Sequence, residues 1–208
     1  MAPWPVKMLG ELAEVRSGYT FRGAVDSAAG ADRVPLLRIG DLTEEGNLSP
    51  RFSDTTLVCR TLTKRYLVRE GDLVLANRGT RATAALIPGK LEAAASGQLF
   101  LIRIHSQSIA KEYLHWYINH CDVQKYLVSH MRGGRVKMLS IEVLRRGLRV
   151  PLPSLDVQRR IVEMQSLFRS ECRLMERLSE LKRVYYEKLL GQAAWGRGAA
   201  EGDSGATL

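Results

Sequence analysis

The sequence predicts an α/β (α+β) domain over residues 1–150, followed by one long C-terminal helix over 151–191. Three observations predict it. "RVPLLRIGDL" and "GQLFLIRIH" are apolar runs bounded by Gly, Asp and other turn formers, the pattern of buried strands. "AKEYLHWYINHCDVQKYLVSHM" instead places Tyr113, Leu114, Tyr117, Ile118 and Cys121 at helical spacing, with Leu127 extending the face less regularly. Beyond residue 155 a heptad-like stripe takes over. Ile161, Phe168 and Met175 stand seven apart, as do Leu167, Leu174 and Leu181, with Leu178 and Tyr185 on an adjoining row.

Taken in chain order, "KMLGELAEVRSG" carries Met8, Leu9, Leu12 and Val15, which predicts a short helix or turn ended by Gly18. "GYTFRGAVDSAAGADR" is rich in small residues and reads as a loop. "RYLVREGDLVLANRGT" predicts strand, Glu-Gly-Asp turn, strand and a glycine-containing loop. After the helical stretch, "RGGRVKMLSIEVLRRGLRVPLP" gives a Gly-Gly loop, a short amphipathic turn and an extended exit. The residues before Pro151 and Pro153 are pushed to extended geometry, which marks a boundary. Ser154 or Asp156 is positioned to cap the long helix. Gly191 is expected to end it, leaving 192–208 as a disordered tail.

Composition narrows the function. The chain has 208 residues, 45% of them hydrophobic, which is enough for a core. Neither an apolar run of about 18 residues nor a signal core of about 7–15 is present, so a cytoplasmic protein with no membrane partner is expected. Cys59, Cys121 and Cys172 are far apart in sequence and form no C-x-x-C pair, which predicts free, mostly buried thiols and no metal. Net charge is +9, and its distribution is uneven. Residues 1–60 are close to neutral, whereas residues 129–149 concentrate Arg132, Arg135, Lys137, Arg145, Arg146 and Arg149 against the single acid Glu142. A local excess of that kind suits a face that meets phosphates.

No catalytic signature stands out. A phosphate-cradling Gly-Lys-Ser/Thr loop, a G-x-S-x-G elbow, an H-E-x-x-H pair and a methyltransferase Asn/Asp-Pro-Pro-aromatic box are all missing. The sequence Glu180-Leu-Lys182 lies in the long helix and reads as solvated heptad charge. Three loops do carry side chains suited to nucleic acid. The first offers Tyr19, Thr20, Arg22 and Arg33; the second, "ANRGTRAT", offers Asn77, Arg78, Thr80 and Arg81; the third, "SHMRGGRVKML", offers Arg132, Arg135 and Lys137. Arg and Lys bond guanine edges, Asn bonds adenine, and all of them grip phosphates. Any one such loop is as easily a soluble turn; three in one small domain favour binding.

The ordered set "LGELAEVRSGYTFRG", "VPLLRIGDL", "YLVREGDLVLANRGT", "YLHWYINHCDVQKYL", "GGRVKMLSIEVLRRGLRVPLPSLDVQRRIV" and "YYEKLLG" resembles the target recognition domain and spacer helix of a type I restriction–modification specificity subunit. The resemblance covers roughly residues 7–191, and V-P-L-P-x-x-x-x-Q-R-R-I is its most specific part. It implies a non-catalytic subunit that recognises double-stranded DNA and directs a methyltransferase subunit, and where the system restricts, a restriction subunit. S-adenosylmethionine, and ATP with Mg, would then belong to those partners, with no cofactor in this chain. Base reading is expected from the loops at 19–22 and 77–81, and phosphate contacts from the cations of 132–149, Arg145 and Arg146 included.

A full-length subunit of that family carries two recognition domains and two helices, whereas this chain has one of each and resembles a half-subunit. The expectation is a homodimer paired as an antiparallel coiled coil through Ile161, Leu167, Phe168, Leu174, Met175, Leu178, Leu181 and Tyr185, since an uncovered apolar stripe is disfavoured in water. The alternative is a truncated or decoy fragment that docks on another specificity or methyltransferase subunit through its helix.

Overall fold

The structure is a computed structural model that describes residues 4–20, 33–49, 56–89 and 91–195. Strand β1 (Val6–Met8), a single helical turn α1 (Leu9–Leu12) and β2 (Ala13–Ser17) open the chain. The expected short helix or turn is thus present but ends at Leu12, before Gly18. Buried Ala13 and Val15 alternate with the exposed Glu14 along β2, and Gly18 closes a strand instead of a helix. β3 (Arg33–Leu37) follows, then β4 (Leu57–Cys59), the helical turn α2 (Arg60–Thr63) and a 3₁₀ turn, Lys64–Tyr66. That turn takes Arg65 and Tyr66 from the first strand expected in "RYLVREGDLVLANRGT", of which Leu67 keeps an isolated bridge to Ala94.

The second strand of that segment is β5 (Leu73–Ala76), preceded by a tight turn at Gly71, whose φ of 82° favours glycine. The short β6 (Ala84–Leu86) and β7 (Ala94–Ala95) lead into β8 (Leu99–Ile104).

Strands β2-β8-β5-β6 form one antiparallel sheet; β4-β3-β7 form a second, and β1 pairs with β9 (Arg149–Pro151). In the four-stranded sheet Leu73, Leu75, Phe100 and Ile102 face one hydrophobic cluster, while Val74, Leu99 and Leu101 face another. Burial on both faces explains why β5 and β8 read as continuous apolar runs.

The helical stretch is two helices, α3 (Lys111–Asn119) and α4 (Cys121–Ser129), broken at His120 (ψ 141°). The break explains the irregular place of Leu127: it and Val123 are buried by α4, on a new register. Cys121 accordingly sits exposed at the start of α4, and Cys59 and Cys172 are half-buried, so the three free thiols are less buried than expected.

Helices α3 and α4 also finish the sheet. Among the described residues the edge strand β6 has no further strand beside it, and side-chain amides take that place. Asn119 accepts from the Ala84 N–H at 3.0 Å and donates to its carbonyl at 2.8 Å. Gln124 does the same for Ala82, at 3.2 and 2.9 Å.

The exit from the domain is fixed in a similar way. The Tyr113 hydroxyl donates to the Pro151 carbonyl at 3.0 Å, and burial pushes its pKa up to about 12, keeping it a donor. The long helix α5 (Leu155–Trp195) begins after Ser154, whose hydroxyl accepts from the Val157 N–H. Gln158 is fully buried; it accepts from the Ala110 N–H and donates to the carbonyls of Ser108 and Pro153. Those three bonds give a physical reason for the glutamine in V-P-L-P-x-x-x-x-Q-R-R-I. α5 continues through Gly191 to Trp195, so residues 192–195 are helical and the expected tail lies, from residue 196, outside the described residues.

By its contacts the chain divides into two units, Met1–Val162 and Glu163–Leu208. No helix among the described residues is long and apolar enough to cross a membrane.

Candidate nucleic-acid interface

The four-stranded sheet has a well-defined end, where β2 finishes at Ser17, β5 at Ala76 and β8 begins at Leu99. The first loop leaves β2 there. Gly18 donates to the Leu99 carbonyl at 2.9 Å, Tyr19 donates to Ala95 at 2.7 Å, and the Tyr19 carbonyl accepts from Gly97. A side chain at position 18 would collide with the Ser96 carbonyl, so the close approach of the two segments requires glycine. Tyr19 packs edge-on against Tyr66, ring centroids 5.5 Å apart.

The second loop leaves β5 beside it. The Asn77 N–H donates to Gln98 at 3.0 Å, and its carbonyl accepts from Leu139 at 2.7 Å. Gly79, at φ 106°, donates to the Lys137 carbonyl at 3.2 Å. The third loop folds back on itself, Arg132 and Met138 exchanging both backbone hydrogen bonds, and Met138 also bridges to Arg78. Residues 18–20, 77–81 and 131–138 are therefore one contiguous surface, joined through the turn at 95–98.

The side chains on that surface do not all serve it equally. Thr20, Thr80, Arg81, Arg132, Arg135 and Lys137 are exposed, and Tyr19 and Arg78 are half-buried. Arg81 has Glu44 at 3.5 Å, an exposed pair that restrains it little. Val136 and Met138 stand about half exposed between the cations, apolar atoms available to a base or a thymine methyl. Asn77 departs from expectation. It is 4% exposed and its amide donates to the Gly97 carbonyl at 2.9 Å, so it braces the loop and has no free edge for adenine. Arg22 lies outside the described residues.

Arg145 and Arg146 are also displaced from where the charge cluster put them. They lie in a π-type turn, Val143–Gly147, packed on α1, with the Arg145 carbonyl close to Gly10. α1 precedes Ala13, at the opposite end of β2 from the loops, and Arg146 pairs with Glu142 at 3.2 Å. The basic run at 132–149 thus divides between the two ends of the sheet.

The same surface holds residues that the sequence did not single out. A cleft of about 440 Å³ opens between Tyr19, Thr20, Arg38, Arg78, Ser96 and Gln98. Arg38 follows β3, within "VPLLRIGDL", and "SGQ" precedes β8; nothing in their local pattern marks either as a site residue, and the pairing of the strands brings them beside Tyr19 and Arg78.

Elsewhere, His120, Cys121 and Asp122 place ligand-type atoms within 4.8 Å of one another. They are consecutive residues at a helix start, where the His120 ring accepts from the Asp122 N–H. Glu180 bonds Arg183, which also bonds Glu187, so Glu180-Leu-Lys182 is helix surface charge.

In the second unit the expected partner stripe is uncovered. Leu167, Phe168, Leu174, Met175, Leu178, Leu181 and Tyr185 are each between 51% and 71% exposed. Ile161 is different: it is partly buried against the domain's own core and is not available to a partner in the same way.

A family model described as the type I restriction modification DNA specificity domain matches residues 1–183. A comparison with the curated proteins finds no match. Among solved structures, a chain from a study of complex assembly and conformational transition of the type I R-M system aligns with a TM-score of 0.67 at 18% identity, over 91% of this chain and 44% of that one. The HsdS subunit from Thermoanaerobacter tengcongensis aligns at 0.63 and 18% identity, over 93% of this chain and 45% of that one. A type I restriction-modification S subunit from M. genitalium gives 0.54 at 11% identity, over 91% and 45%. At such identities the likeness is one of fold, and this chain spans a little under half the length of the chains it matches.

Proposed function

This chain belongs to the type I restriction modification DNA specificity domain family, and from that premise we propose that it is a recognition subunit directing a methyltransferase subunit to a bipartite duplex target. The observation that carries this reading is the gathering of three sequence-distant loops, with Arg78, Arg81, Arg132, Arg135 and Lys137, into one hydrogen-bonded surface. The chemistry would lie with the partners: S-adenosylmethionine on the methyltransferase, and ATP with Mg on a restriction subunit in systems that cleave. Arg78 and Arg81 read base edges, and Arg132, Arg135 and Lys137 hold the phosphates beside them.

The second unit supports a companion role. Its exposed stripe from Leu167 to Tyr185 is covered by the same stripe of a second copy, packed antiparallel, which places two recognition domains on one DNA. A two-fold reader takes a palindromic bipartite site, because site symmetry mirrors protein symmetry. Phe168→Glu with Met175→Glu should convert the dimer to a monomer in sedimentation; a dimer that survives excludes this face.

The function is tested by mapping adenine methylation across the host genome, with and without the gene. A palindromic bipartite motif lost on deletion is the expected result. An asymmetric motif lost on deletion retains the recognition role but replaces the second copy with a different subunit. No dependent motif, in cells that express the protein, overturns methylation targeting and favours a fragment that docks on another subunit.

A further inference from the structure

We propose that the cleft between Tyr19, Arg38, Arg78, Ser96 and Gln98 is the pocket that takes a purine edge, with Arg38 and Gln98 as specificity-determining residues beside Arg78. The proposal rests on the DNA-recognition reading and names where in the face that recognition occurs.

Three features of the cleft point the same way. Among the described residues its lining contains two guanidinium groups and no carboxylate. Among the described residues neither guanidinium has an acidic side chain as partner: Asp41 accepts from the backbone N–H of Arg38, and the one side-chain bond of Arg78 is a long one, 3.5 Å, to Asn77. The cations therefore remain available to an electronegative group that enters. The Gln98 carboxamide has no hydrogen-bond partner among the described residues, although its backbone is fixed through Asn77. A carboxamide held on a rigid turn can bond N6 and N7 of adenine, as a guanidinium bonds O6 and N7 of guanine.

Ser96 is the third feature. It is 6% exposed, lines the cleft, and its hydroxyl makes no hydrogen bond. Buried polar atoms are rarely left so, and those that are call for an explanation. As it stands the hydroxyl has almost no accessible surface, so meeting a group in the cleft takes a rotation about χ1, after which it can both donate and accept. The glycine contacts make the turn stiff enough to hold this geometry, since residues 96 and 97 are clamped against Gly18, Tyr19 and Thr20.

The test is selection from a randomised duplex DNA library with the full chain, its Arg38→Ala, Gln98→Ala and Ser96→Ala variants, and thermal melting of each. The wild type should enrich one motif. Arg38→Ala and Gln98→Ala should each relax preference at a purine of that motif by about tenfold or more, with melting unchanged. Ser96→Ala should weaken selected binding while melting at the wild-type temperature or above, because it removes an unsatisfied buried atom.

A wild-type motif that both Arg38→Ala and Gln98→Ala retain, with uniformly weaker binding and a shallower salt dependence, makes the cleft a phosphate site and overturns the proposal. Ser96→Ala that lowers melting and binding in step makes its hydroxyl structural and overturns its part. A folded wild type that enriches no motif overturns the recognition reading itself, and the pocket with it.

Discussion

At the start of β5, Asp72 is buried with Arg103 on both of its oxygens, at 2.8 and 2.5 Å, and also accepts from the Arg69 N–H. At the other end of the same strand, Arg78 and the neighbouring Arg38 border a cleft with no carboxylate among the described residues. The residue types are the same, but their environments differ. One end commits its charges to the fold, and the hydrogen bond to Asp72 raises the Arg103 pKa further from neutrality. The other end leaves its guanidinium groups without a carboxylate partner among the described residues. The contrast teaches that positive charge alone does not distinguish a cation spent on the fold from one left without a buried carboxylate partner.

The largest effect that tests this contrast is at the committed end. Asp72→Ala should lower domain stability by about 3–5 kcal/mol in urea unfolding, because it leaves Arg103 partly buried beside an empty partner site. A cost below about 1 kcal/mol would show the pair to be solvated and remove the distinction. Next comes Gln124→Ala, which strips the side-chain bonds from the Ala82 N–H and carbonyl. It should cost about 2–3 kcal/mol, read in the same way, with no change in DNA preference in the folded fraction.

At the loop end the order reverses, with binding affected and stability not. Arg78→Ala and Arg81→Ala should each lose about 1–3 kcal/mol of specific DNA binding in a fluorescence titration while unfolding at the wild-type urea midpoint. Wild-type selectivity in both would take the 77–81 loop off the base-reading surface. The smallest effect is expected at Arg145 and Arg146. Their alanine variants should stay within about 0.5 kcal/mol of wild type in stability, as exposed surface changes do. Salt dependence of DNA binding should also be unchanged. A slope lowered as far as Arg132→Ala lowers it would extend the DNA footprint to the far end of the sheet.

Much of this molecule is legible in its sequence because the signals are local. β8 follows from "LFLIRI", buried on both faces, and the long helix follows from its seven-residue repeat. The Pro-x-Pro exit and the Ser154 cap are backbone effects of neighbouring residues. Of the strands shorter than four residues, β1, β4, β6 and β7 gave no pattern to read, because two or three residues cannot show a period. The break at His120 was hidden as well. Each half of the helical stretch has its own apolar face, and His120 does not carry the Gly or Pro that usually announces an interruption.

The candidate site divides along the same line. The sequence alone determined which loops carry Arg, Lys, Thr and Gly, and that the stretch from Ile161 to Tyr185 holds an apolar stripe. Tertiary structure alone decided the rest. It brought the three loops to one end of a sheet, sent Arg145 and Arg146 to the other, buried Asn77 as a brace, and set Arg38, Ser96 and Gln98 around a cleft. The physical reason is that composition and periodicity act between near neighbours along the chain. Which side chains keep a free donor depends on strand pairing between residues far apart in sequence, such as Ser17 with Phe100 and Ala76 with Leu99.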